Sequence, residues 1–295
     1  MASHSTIRGR VFNNEPMGKH CSWRTGGNAE VYFEPADKAD LSLFLTQTAE
    51  DLPLTWIGLG SNLLVRDGGL KGVVIATLNK LNELTLLGNG TVYAESGVTC
   101  AKLARFCQKH HLDGADFLAG IPGTVGGALA MNAGAFGYET WQFVESVEML
   151  QRHGELLNRQ PSEFKVSYRS VSIIDNEWFS AAVFNFPKKN DSEVSNIKPL
   201  LAKRNASQPI GLPSCGSVFK NPQNDFAARL IEASGLKGYC IGGACVSEKH
   251  TNFIINENNA TASDIETLIE KIQFEVKKQF DIELKTEVRI IGDRV

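Results

Sequence analysis

Glycine, serine and asparagine cluster in Gly58-Leu59-Gly60-Ser61-Asn62. Glycines let a backbone approach a ligand closely, and successive N–H groups beside short polar side chains can hold a pyrophosphate. The same residues could instead form a tight turn between strands. They do not make a Rossmann fingerprint: the third glycine is missing, and the LLVRDGG that follows has a strand pattern. A second segment, Gly120-Ile121-Pro122-Gly123-Thr124-Val125-Gly126-Gly127-Ala128, runs into LAMNAGA and Asn132. Four glycines in eight residues make a helix costly, at roughly 1 kcal/mol each relative to alanine. Close helix packing could offset that, and so could an anionic cofactor at the helix start.

Arg169 follows Tyr168 in FKVSYRS. Its planar guanidinium suits a carboxylate or phosphate, although a lone arginine is more often a surface charge. PSCGSVFKNP (213–222) sets Ser217 close to Lys220 and Asn221, a hydroxyl proton donor near a cation and an amide. A turn into a strand is the plainer reading. The spacing is not that of a G-x-S-x-G elbow, and no Ser/His/Asp set is indicated. Cys215 has no histidine nearby to activate it and reads as packing. Glu287 lies in ELKTEVRII, whose alternation places it with Glu283, Lys285 and Arg289 on the polar face of a strand.

These residues need elements to position them. Trp56-Ile57, Leu63-Leu64-Val65, Val73-Val74-Ile75 and Thr91-Val92-Tyr93-Ala94 read as strands punctuated by glycine-rich turns. The spacing in 98–111 predicts a helix with Leu103, Phe106 and Cys107 on one face and Thr99 as N-cap. Asp225 precedes FAARLIEASG, a helix that Gly235 would stop. Thr261 with Asp264 forms a capping box for a helix whose buried stripe is Ile265, Leu268, Ile269, Ile272, Val276 and Phe280. The polar stretch KKNDSEVSNIK (188–198) marks a boundary. The fold class is α+β, with a larger N-terminal module and a smaller C-terminal one.

Composition narrows the classes of function. The 295 residues suffice for two domains, and 42% of them are apolar. With Lys+Arg 30 against Asp+Glu 33, no global basic field would draw the chain onto nucleic acid or anionic lipid. No apolar run approaches the ~18 residues of a membrane span. The start has no apolar h-region, so no secretory signal is expected. Six cysteines without a C-x-x-C pair point to a reducing cytosol and no disulfide framework. No H-x-x-x-H pair suggests a metal site.

Together these segments resemble the UDP-N-acetylenolpyruvoylglucosamine reductase (MurB) family, flavoenzymes of bacterial peptidoglycan synthesis. The matching stretches, in family order, are RTGGNAEVYFEP (24–35), GLGSNLLVRDGGLKGVVI (58–75), LAGIPGTVGGALAMNAGAFG (118–137), SYR (167–169), PSCGSVFKNP (213–222), LIEASGLKGYCIGGACVSEKHTNFIIN (230–256) and LKTEVRIIG (284–292). The uninterrupted LKGYCIGGACVSEKHTNF is similar to the shorter, second type of the family. YRSV departs from it in lacking the serine often found two positions after the arginine, with Ser170 and Ser172 flanking that position.

The resemblance implies an FAD-binding module of the vanillyl-alcohol-oxidase/cholesterol-oxidase-like (PCMH) type over 1–190, in two α/β subdomains split near 80. A C-terminal α+β substrate-binding domain would cover 191–295, its last strand returning to the active site. Gly58, Gly60, Ser61, Asn62, Gly120, Ile121, Pro122, Gly123, Thr124, Gly126, Gly127, Ala128 and Asn132 would contact FAD. NADPH would reduce the flavin and leave, and UDP-N-acetylglucosamine enolpyruvate would then take hydride from flavin N5, giving ping-pong kinetics and UDP-N-acetylmuramate. Arg169 and Glu287 match the positions that stabilise the enolate-like charge; Glu287 could do so only while holding or sharing a proton, which desolvation favours. Ser217 matches the proton donor. Tyr168, Lys220 and Asn221 would position the substrate or its diphosphate. A cytoplasmic monomer is expected. The rival reading is another FAD oxidase or dehydrogenase of the same module acting on an alcohol or hydroxy acid. A non-catalytic nucleotide-binding protein is the third.

Overall fold

Local signals in the chain become elements where their caps are satisfied. In the computed structural model, which describes residues 6–88, 90–188 and 197–295, the helices are α1 (Lys38–Gln47), α2 (Cys100–Lys109), α3 (Val125–Met131), α4 (Ile197–Ser207), α5 (Ala227–Ala233) and α6 (Ala262–Phe280). The Thr99 hydroxyl accepts the Lys102 N–H at 3.2 Å, capping α2 as its spacing predicts. Thr261 and Asp264 exchange both bonds of a capping box ahead of α6. Of the 188–198 stretch read as a boundary, residues 189–196 lie outside the described ones.

The chain forms two units. The first comprises residues 1–12, 32–59 and 72–202, the second residues 13–31, 60–71 and 203–295. This division differs from a single cut near 190, because 13–31 and 60–71 group with the C-terminal part. The reason lies in long-range pairing. Strand Leu63–Val65 runs parallel to Arg289–Ile291, with Leu63 opposite Arg289 and Val65 opposite Ile291. The buried Trp23 indole donates to the Ile254 carbonyl at 2.8 Å, and Asn256 Nδ2 donates to the Trp23 carbonyl at 2.8 Å.

In the first unit an antiparallel sheet runs in the order Leu156–Arg159, Val144–Gln151, Glu177–Asn185, Thr91–Glu95, Leu84–Gly88. Leu54–Ile57 pairs in parallel with Val73–Ala76. The core beneath includes Val92, Leu103, Cys107, Phe117, Leu129, Trp141, Phe184 and Phe186.

In the second unit a three-stranded antiparallel sheet, Cys240–Ile241, Ala244–Val246 and Ile254–Asn256, accompanies α5 and α6. The α6 stripe is buried from Ile265 to Val276, with Phe280 partly buried. Asp67 of the RDGG turn accepts the Ala262 and Ser263 N–H groups at 3.0 and 2.8 Å, placing a carboxylate on the N-terminus of the longest helix described. The expected strand over ELKTEVRII is only Arg289–Ile291. Ahead of it lies a single bridge between Thr286 and Phe219.

The expectation of no disulfide is corrected: Cys240 and Cys245 are bonded. They face each other across the hairpin turned by Gly242-Gly243, as a C-x-x-C search cannot find. A Gly-Gly pair between apolar residues was the available signal. Cys21, Cys100, Cys107 and Cys215 are free and buried. Among the described residues no helix is long and apolar enough to cross a membrane, and no group of three or more His, Cys, Asp or Glu could hold a metal ion.

Candidate active site

The candidate residues fall in both units. In the first, Val166–Ser167 and Ser170–Val171 form a hairpin, so Tyr168 and Arg169 are the two residues of its turn. Arg169 takes the left-handed conformation, φ 52°, uncommon for a residue with a long side chain. Its guanidinium donates to the Gly134 carbonyl at 2.6 Å and the Asn132 carbonyl at 3.3 Å. It also lies 3.9 Å from the Glu139 carboxylate and 5.0 Å from the Tyr168 ring centroid. A surface charge would not be tied this way. The support that the missing serine left open comes from these carbonyls.

Asn132 is central to this arrangement. It ends α3 in the left-handed conformation, φ 48°, and is 2% exposed. Its Nδ2 donates to Glu139 at 2.8 Å and to the Ser167 carbonyl at 3.2 Å, while its Oδ1 accepts the Trp141 N–H at 3.1 Å. Asn132 was expected to touch the cofactor. In the structure its carboxamide ties the Arg169 hairpin to the end of α3.

The glycine-dense helix start has several of its N–H groups engaged within the protein. Val125 N–H donates to the Val98 carbonyl at 2.8 Å, Gly126 N–H to the Ser96 carbonyl at 2.9 Å and Gly127 N–H to the Thr124 hydroxyl at 3.4 Å. Those groups serve the protein, so they do not offer an anion cradle. Close packing accounts for two glycines: a Cβ at Gly126 would lie 2.8 Å from Ser96 Cβ, and one at Gly58 would lie 2.3 Å from Thr124 Oγ1. Gly127 is different. A Cβ there would meet nothing nearer than 3.8 Å, so protein packing does not demand a glycine at this exposed position. The Ser96 hydroxyl is buried without a hydrogen-bond partner. An uncovered glycine face and an unpartnered buried hydroxyl are features that a bound cofactor would complete, and the residues of this segment fit one on that ground.

In the second unit Gly60 takes φ 66°, and a Cβ on it would sit 2.0 Å from the His20 carbonyl oxygen, so only glycine allows the turn into Ser61 and Asn62. Asn62 Nδ2 donates to the Glu287 carbonyl at 3.1 Å, and the Asn62 carbonyl accepts the Arg289 N–H at 3.0 Å. The Glu287 N–H in turn donates to the Val218 carbonyl at 2.8 Å. Residues 60–62, 217–218 and 287, far apart in sequence, are thereby joined. Glu287 is half-buried, so the solvated strand face expected for it is corrected by the bend before Arg289.

Ser217 is half-buried, directly before the buried Val218 and Phe219. The Lys220 N–H donates to the Lys285 carbonyl at 2.9 Å. Asn221, expected at the substrate, uses its Oδ1 to accept the Ala227 N–H at 3.1 Å and so caps α5. Cys215 is packing, as read: burial pushes its thiol up to about 12.

Comparison with known proteins gives the context. Residues 208–291 match the family model described as "UDP-N-acetylenolpyruvoylglucosamine reductase, C-terminal domain", and residues 29–159 match "FAD binding domain". The chain is 53% identical over 306 residues to the UDP-N-acetylenolpyruvoylglucosamine reductase of Coxiella burnetii (strain Dugway 5J108-111), covering 97% of each. It is 53% identical over 287 residues to that of Methylococcus capsulatus, covering 97% of this chain and 94% of the other. The crystal structure of the reductase (MurB) from Thermus caldophilus superposes with a TM-score of 0.82 at 27% identity, covering 97% of this chain and 99% of that one.

Proposed function

Since the chain belongs to the UDP-N-acetylenolpyruvoylglucosamine reductase family, we propose that Ser217, Glu287 and Arg169 carry its chemistry. The protein is an FAD-containing, NADP-dependent oxidoreductase that reduces UDP-N-acetylglucosamine enolpyruvate to UDP-N-acetylmuramate in peptidoglycan precursor synthesis. The rival oxidase reading loses its ground, because the C-terminal match over 208–291 is to the reductase.

When bound, FAD supplies two-electron transfer from NADPH to the enolpyruvyl carbon–carbon double bond. Gly58, Gly60, Ser61, Asn62, residues 120–124 and 126–128, and Asn132 would hold it, Gly127 offering a face that no protein atom covers. An enol ether accepts electrons poorly unless its carboxylate is polarised. The Arg169 guanidinium meets the charge that develops on the substrate carboxylate. Glu287 contributes as a protonated carboxyl, since a bare carboxylate would repel that charge. The Ser217 hydroxyl delivers a proton to the carbon that becomes carbanionic. A hydroxyl is a weak acid, but the carbanion is a strong base, so position is the decisive requirement. Tyr168, Lys220 and Asn221 orient the UDP-sugar or its diphosphate. We place the protein in the cytoplasm as a monomer, with small molecules as its partners and neither nucleic acid nor membrane among them.

The observation that carries these roles is the Glu287 N–H to Val218 carbonyl bond, which supports a carboxyl and a hydroxyl acting in concert. The test is an anaerobic flavin spectrum: reduction by NADPH, then reoxidation on adding the enolpyruvyl substrate. Ser217→Ala should leave the first step nearly intact and slow the second by orders of magnitude. Equal loss in both removes Ser217 from the acid role.

A further inference from the structure

Asn252 is 4% exposed and was not singled out by its sequence. Its Oδ1 accepts the Phe219 N–H at 2.9 Å and its Nδ2 donates to the Phe219 carbonyl at 2.8 Å. Its own carbonyl accepts the Val218 N–H at 2.9 Å. One residue thus engages three main-chain groups of the dipeptide that follows Ser217. The opposite edge of that dipeptide is held by Glu287, through the Val218 carbonyl, and by the bridge to Thr286.

Asn252 is itself anchored. The Thr251 hydroxyl donates to the Ala228 carbonyl at 2.6 Å, and the Phe253 N–H donates to the His250 carbonyl at 2.9 Å. The chain then continues into strand Ile254–Asn256.

We infer that Asn252 is a positioning residue for the proposed proton donor, its carboxamide standing in for a neighbouring strand so that Ser217 is presented at one fixed place. This rests on the reading of Ser217 given above. The chemistry of the side chain explains the choice. A carboxamide gives one hydrogen bond to, and takes one from, the main chain of the same residue, whereas an ionised aspartate has no donor. Gly216, at φ 72°, turns the chain just before Ser217 in a conformation that glycine adopts readily, and Asn252 fixes the dipeptide on the other side of Ser217. A proton donor displaced by about 1 Å loses on the order of 100-fold in rate.

The test uses the full-length, FAD-loaded protein in anaerobic stopped-flow, with Asn252→Ala, Asn252→Asp, Ser217→Ala and the Ser217→Ala/Asn252→Ala double variant. Asn252→Ala should keep its bound-flavin spectrum and its rate of reduction by NADPH within about twofold, while reoxidation by the enolpyruvyl substrate falls about 100-fold. Asn252→Asp, which keeps one of the two side-chain bonds, should fall between it and the parent. Amide exchange at Phe219 should quicken. In the double variant Asn252→Ala should add less than twofold to the loss from Ser217→Ala, because no donor is left to position.

Full multiplicative losses, equal loss in both half-reactions, unchanged reoxidation in Asn252→Ala, or failure of both single Asn252 variants to retain flavin would each overturn the inference. Normal reoxidation by Ser217→Ala alone would instead remove the Ser217 reading, and the inference with it.

Discussion

Glu287 donates its main-chain N–H to the carbonyl of Val218 at 2.8 Å, next to Ser217. The two segments are separated by almost the entire C-terminal region, including α5, the three-stranded sheet and α6. Asn62 adds a third strand of support through the Glu287 carbonyl. A carboxyl-bearing residue and the neighbour of a hydroxyl-bearing one are therefore tied together by their main chains.

Glu287→Gln keeps a donor where a protonated carboxyl would stand. It should retain measurable reoxidation, within about tenfold of the parent, while Glu287→Ala should lose about 100-fold or more. Stopped-flow reoxidation of the reduced enzyme distinguishes them. A loss as deep in Gln as in Ala would count against a protonated Glu287.

Asn132→Ala should impair the first unit through Arg169. It leaves the buried Trp141 N–H without its partner, at about 1–3 kcal/mol, and frees the Ser167 carbonyl of the hairpin. Reoxidation should slow and KM for the UDP-sugar should rise, with Arg169→Ala giving the deeper loss. Unchanged kinetics would show that the turn holds Arg169 unaided.

Asp67→Ala removes the carboxylate from the α6 N-terminus and should lower stability by about 1–2 kcal/mol, read as an earlier urea midpoint. Asp67→Asn, which can still accept, should lie between.

Glu266 gives a pH dependence of known sign. The Arg66 guanidinium beside it, with help from Arg294, holds its carboxyl below the usual range. Its folded pKa is thus lower than its unfolded one, about 4.3, so the native state gains from ionised Glu266 at neutral pH and loses that gain as pH falls through the folded value. Glu266→Gln should be less stable at pH 7. The gap should close in parallel urea melts as pH falls below the unfolded value of about 4.3 and through the lower folded one. A gap that persisted or widened under acid would refute the ion-pair account.

The cysteines should divide by reactivity. The thiols of Cys21, Cys100, Cys107 and Cys215 are all pushed up to about 12 by burial and should resist a thiol reagent in the native protein. Mild reduction should open the exposed Cys240 to labelling, and denaturation the buried thiols. Labelling of Cys215 without unfolding would contradict its burial.

Much of this protein is written locally. The caps at Thr99 and Thr261, the stripe of α6 and the stop at Gly235 follow from side chains interacting within a few residues, so periodicity and capping chemistry suffice to find them. Family motifs likewise single out Ser217, Arg169 and Glu287 as the residues proposed to carry the chemistry. Other features depended on residues distant in sequence. That Asp67 caps α6, that 13–31 and 60–71 belong with the C-terminal region, that Asn132 and Asn221 hold backbone, and that Asn252 clamps the residues after Ser217 are all long-range hydrogen bonds. A side chain's type states what it can donate or accept. Only the folded chain decides which buried group takes up that capacity, because every such group must find a partner once water is excluded.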